Sequence, residues 1–139
     1  MPSQLENLSG PGKALDVEPP DGTEVGGLVR AGLARLQDAE NTTLSLEGRF
    51  LLAYNAAHAL RLAALRRCGY RPKHRYIVFQ VLPHTLGVGP EVWRVLAKAH
   101  DLRNLAEYEG EMEIDDRIVA DVLTACRAVA DRLAKLPAL

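Results

Sequence analysis

The sequence predicts an all-α protein, an antiparallel bundle of four to five helices. Three observations carry that expectation. Apolar residues recur at spacings of three and four in three separate segments, the period of one helix face. Residues 46–68 are rich in alanine and apolar on most sides, which marks a central, buried helix. Capping residues and glycines stand where these segments should begin and stop.

Residues 1–22 contain Pro2, Pro11, Pro19, Pro20 and three glycines, with few large apolar side chains. Such a segment buries too little surface to offset its ordering entropy, so a flexible N-terminal arm is expected before a helical domain over 23–139. The first long helix is expected from Thr23 to Asp38 on the stripe Val25, Leu28, Val29, Leu33 and Leu36, weakened by Gly26, Gly27 and Gly32. NTTLSLEG at 41–48 supplies a turn and a cap for the second, Leu46 to Cys68, which Gly69 closes. RYIVFQVL at 75–82 is β-branched and aromatic, but a lone strand among helices leaves its backbone without partners. A short helix is expected there instead.

Gly89, Pro90 and Glu91 open the next long helix, residues 89–108, on the stripe Val92, Val95, Leu96, Ala99, Leu102 and Ala106. The last runs from about Ile114 to Leu136, with Val119, Val122, Cys126 and Val129 among its apolar positions. Asp115 and Asp116 stand at its positive end and Lys135 at its negative end, as the helix dipole favours.

A chain of 139 residues accommodates one domain, and 17 basic against 18 acidic residues give no overall attraction to nucleic acid or acidic membranes. The longest apolar stretch, 50–65, is broken by Asn55, His58 and Arg61, and the N-terminus lacks the apolar core of a signal peptide. A soluble, cytoplasmic protein without membrane association is expected. Cys68 and Cys126 read as unpaired core thiols. No His-x-x-x-His or Cys-x-x-Cys spacing occurs, so neither a metal nor a cofactor is expected.

The chemistry concentrates in RNLAEYEG at 103–110. Arg103 projects along the margin of the apolar stripe, where a guanidinium is costly unless paired or facing a wet cleft. Asn104, Glu107 and Tyr108 follow within about two turns, and His100 precedes on nearly the same face. Arg103 could hold a phosphate, or could pair with Glu107 as a structural ion pair. His58 lies mid-helix with Tyr54 and Arg61 one turn to either side, a polar stripe that reads either as core hydrogen bonding or as a cleft lining shared with Arg103. Tyr108 reads either as a ring packed on the last helix or as a phenol beside Arg103 that accepts a transferred group.

AYNAAHALRLAALRRCGYR at 53–71, HRYIVFQVLPHTLG at 74–87 and LRNLAEYEG at 102–110 resemble the HEPN superfamily of small helical proteins, over about residues 24–136. The resemblance implies a HEPN-like bundle that forms a homodimer and works beside a nucleotidyltransferase-type partner in a toxin–antitoxin or regulatory pair. It also implies a nucleotide- or RNA-binding site at Arg103, Asn104, Glu107 and Tyr108, with His58 and Arg61 on the facing helix. Catalytic members carry an arginine, a following polar residue and then a histidine; Arg103 and Asn104 match the first half, but Tyr108, Glu109 and Gly110 stand where the histidine belongs. RNA cleavage needs a proton acceptor that titrates near neutrality, which a phenol with an ordinary pKa of about 10 is not. The expectation is therefore a binding module. The alternatives are a metal-independent ribonuclease in which Arg103 works with His100 or His58, and a structural helical subunit without a ligand.

Overall fold

The computed structural model describes residues 4–73, 82–110, 113–137 and 139. It is mostly helical, with one small sheet. In chain order the described elements are α1 (Gln4–Asn7), β1 (Leu15–Val17), α2 (Gly22–Ala39), α3 (Leu46–Arg67), β2 (Tyr70–Pro72), α4 (Leu82–Thr85), α5 (Pro90–Glu109) and α6 (Asp116–Ala134). All of the RYIVFQVL segment but its last residue lies outside the described residues.

The long helices begin and end where local chemistry places them. Asp21 caps α2 by accepting from the Thr23 amide at 2.9 Å, Ser45 caps α3 through the Gly48 amide at 3.0 Å, and Asp115 caps α6 through the Ile118 amide at 2.8 Å. Gly69 and Gly110 follow α3 and α5 with φ of 90° and 75°, the left-handed backbone that stops a helix at little cost to glycine.

The core is built around α3, which packs along α2 and α6, while α5 packs chiefly on α6. Phe50, Ala53, Tyr54, Ala57 and Leu60 of α3 meet Leu36 of α2, Leu96 and Ala99 of α5, and Val122, Cys126 and Val129 of α6. Gly32 serves the α2–α3 approach: a Cβ built there would lie 2.7 Å from Leu60 Cγ. The thiol of Cys126 donates to the Ala53 carbonyl at 3.3 Å, and burial pushes it up to about 12. Cys68, expected in the core, is instead exposed just past the end of α3. Nearby groups still desolvate its thiol enough to raise it, with Arg67 acting in the opposite sense.

Residues 4–17, read from the sequence as part of an arm, carry structure. β1 pairs antiparallel with β2, Leu15 opposite Pro72 and Val17 opposite Tyr70. Leu5 and Leu15 bury beside Leu65 of α3, flanked by Leu8, Ala14 and Tyr70. Two leucines and a backbone ladder thus supply what composition alone did not promise.

Arg66, at the end of α3, ties this segment down. It is almost wholly buried, donating through Nη1 to the Glu18 and Tyr70 carbonyls at 3.0 and 3.2 Å and through Nη2 to the Pro19 carbonyl at 2.9 Å. Its charge meets Glu18 and Glu24, and Arg71 of β2 bridges the same two carboxylates at 2.7 Å each. Hydrogen bonds from Arg71, joined at Glu24 by one from Arg66, hold both carboxyls below the usual glutamate range. Among the described residues no helix is long and apolar enough to cross a membrane.

Candidate functional site

His100, Arg103, Asn104 and Glu107 occupy positions three and four apart on α5, so the helix itself stacks them on one face. That face meets Tyr54, fully buried on α3. Tyr54 Oη lies 2.8 Å from His100 Nδ1, and the two rings lie 6.1 Å apart between centroids, inclined by 28°. On the other side of the imidazole, Asn104 Nδ2 lies 3.0 Å from Nε2. With the amide nitrogen so placed, Nε2 accepts, and the ring proton belongs on Nδ1, donated to Tyr54.

Both nitrogens of His100 are therefore engaged, and the residue is only 7% exposed. Proton exchange with an external substrate would break a buried hydrogen bond first. In this arrangement His100 orients Asn104 and Tyr54.

Arg103 sits at the mouth of the cluster. Its guanidinium carbon is 5.3 Å from the centroid of the Tyr54 ring, a cation–π contact, and Nη1 pairs with Glu107 Oε1 at 3.1 Å. The Arg103 side chain is 26% exposed and that of Glu107 60%. One part of the guanidinium thus rests on an apolar ring, while its ion-pair partner is mostly in water and easily exchanged for another anion.

The remaining candidates are Arg61, His58 and Tyr108. Arg61 is fully buried: Nε donates to the Ala57 carbonyl at 3.0 Å and Nη2 lies 3.3 Å from His58 Nδ1. Its charge acts on the Cys126 thiol, so its surroundings include α6. The described contacts join His58 and Arg61 to each other, within α3. Tyr108 is 92% exposed, which corrects the expectation of a ring packed on the last helix. Five residues beyond Arg103, it stands about 140° round the helix from it. The sequence reading singled out His58 and missed Tyr54 as the residue that carries Arg103; the signal was the Tyr54–His58–Arg61 stripe, read at its middle rather than its end.

Among the described residues no group of three or more His, Cys, Asp or Glu side chains is disposed to hold a metal ion. Comparison with known protein families, with curated proteins and with solved structures finds no match to this chain.

Proposed function

We propose that the long helices form a HEPN-like bundle that acts, as a homodimer, as a binding module for the phosphate of a nucleotide or RNA, in concert with a nucleotidyltransferase-type partner. The observation that carries this reading is Arg103: a fixed cation on the ring of buried Tyr54, whose counter-ion is the exposed and replaceable Glu107. Asn104 flanks it, and exposed Tyr108, about 140° round the helix from Arg103, is presented to a partner as a phenol able to accept a nucleotidyl group while pyrophosphate leaves.

Calorimetry of the purified chain with ATP and with a short single-stranded RNA tests the site. Arg103→Ala abolishes the heat of binding while helicity is retained. Binding left intact in that variant overturns the assignment.

A second reading has one observation in its favour: His100 and Arg103 lie one turn apart against the same tyrosine. As a ribonuclease the protein would cleave total RNA without added metal, and His100→Ala would stop it. The two hydrogen bonds on His100 weigh against that reading.

A further inference from the structure

A groove of about 510 Å³ runs between α2 and the C-terminal half of α6, with the end of α3 at its floor. Val25, Val29 and Leu33 form one wall, Leu133 and Leu139 the other, and Leu60 lies beneath. Leu33 and Leu139 are 46% and 58% exposed, so the groove holds apolar surface against water. Its volume falls within the range of about 300–1,000 Å³ typical of small-molecule sites, and its mostly apolar lining with few polar groups is also typical.

The lining contains one cation, Arg67. It is partly buried, and among the described residues its guanidinium makes no ion pair and no hydrogen bond. The adjacent Arg66 meets two carboxylates, and Arg103 and Arg127 each meet one. A guanidinium against an apolar wall loses hydration without recovering it until an anion arrives. Asp131, the acidic residue of the lining, is exposed at the rim and outside salt-bridge distance of Arg67. One cation in a mostly apolar trough, with Asp131 exposed to solvent, matches a ligand with one anionic head and an apolar body.

We propose that this groove binds a single-chain carboxylate of the fatty-acid class, its alkyl chain lying between α2 and α6 and its head paired with Arg67. The α2 wall from Val25 to Leu33 spans about 12 Å, room for an extended chain of medium length. A planar guanidinium takes a carboxylate in two parallel hydrogen bonds, which fixes the head while the trough holds the tail.

Titration of the full chain with decanoate below its micellar range, followed by calorimetry, tests the proposal, with decan-1-ol as the uncharged control. Decanoate saturates one site per chain. Arg67→Gln weakens decanoate about tenfold or more and leaves decan-1-ol unchanged, and Leu33→Glu, at an exposed position that leaves helicity intact, abolishes both. Three results overturn it: no saturable decanoate binding, decanoate affinity that ignores Arg67→Gln, or sedimentation showing a dimer that Leu33→Glu dissociates and that takes up no decanoate.

Discussion

Tyr54 Oη and His100 Nδ1, 46 positions apart in the chain, form a 2.8 Å hydrogen bond that joins α3 to α5 inside the core. The same tyrosine ring carries the guanidinium of Arg103. The fit between two helices and the placement of the candidate anion site thus depend on one side chain. Tyr54→Phe keeps the ring but leaves the imidazole N–H without that acceptor, and is expected to lower stability by about 1–3 kcal/mol. Urea unfolding should show a lower midpoint at unchanged slope, with nucleotide affinity nearly preserved. An unchanged midpoint would remove the pair from the account of the core.

Glu107→Gln separates a structural Arg103 from a binding one. The pair is surface-exposed on its acidic side, so stability should change by less than about 1 kcal/mol. Affinity for RNA should rise, because the variant removes the carboxylate that competes with phosphate. A large loss of stability with no gain in affinity would make Arg103 an internal brace.

Acid should loosen the N-terminal segment before the helices. Glu18 and Glu24 titrate below their ordinary value of 4.5 in the folded chain. Their contribution to stability is therefore complete above pH 4.5 and lost as the pH falls through the lower folded values. Amide exchange over residues 4–17 should accelerate in that window, and Glu24→Gln should blunt the change. Arg66→Met, which strands three carbonyls and leaves Glu18 and Glu24 to Arg71 alone, should cost roughly 2–4 kcal/mol at neutral pH by chemical denaturation.

At Gly32 two principles give opposite signs. Helix propensity alone makes Gly32→Ala stabilising by about 1 kcal/mol. The contacts of the added methyl with Leu60 make it destabilising by about 1–3 kcal/mol. A lower melting temperature for Gly32→Ala supports the close α2–α3 approach, and a higher one refutes it.

The two cysteines should differ sharply in reactivity. Cys68, exposed, should take up a maleimide in the native protein, whereas Cys126, its thiol pushed up to about 12 by burial, should react only on unfolding. Thiol counting without and with denaturant gives one and two groups respectively if the assignment holds.

Helices were legible where one face repeats and an end is chemically marked, as with Pro90 opening α5, Ser45 capping α3 and Asp115 capping α6. The pairing of β1 with β2 was not, because three-residue strands show no usable alternation and their partner lies far along the chain. The docking of the N-terminal segment was hidden for the same reason: Arg66 and Arg71 reach Glu18 and Glu24 across 42 to 53 positions. In the site, the Arg103–Glu107 pair follows from helical spacing alone. The Tyr54–His100 bond crosses between helices, and no local pattern encodes which face meets which.

Along α3 the buried positions Ala53, Ala56, Ala57, Ala59, Ala63 and Ala64 carry side chains too short to tell one neighbour from another. Alanine has no rotamers to lose and the best helix propensity, so the most enclosed element is also inexpensive to order. The task of addressing each neighbour then falls to single long side chains at successive levels: Tyr54 for α5, Leu60 for α2 at Gly32, Arg66 for the N-terminal segment. Exchanging Tyr54 with Leu60 would preserve composition, length and propensity, yet leave the helix with its addresses scrambled.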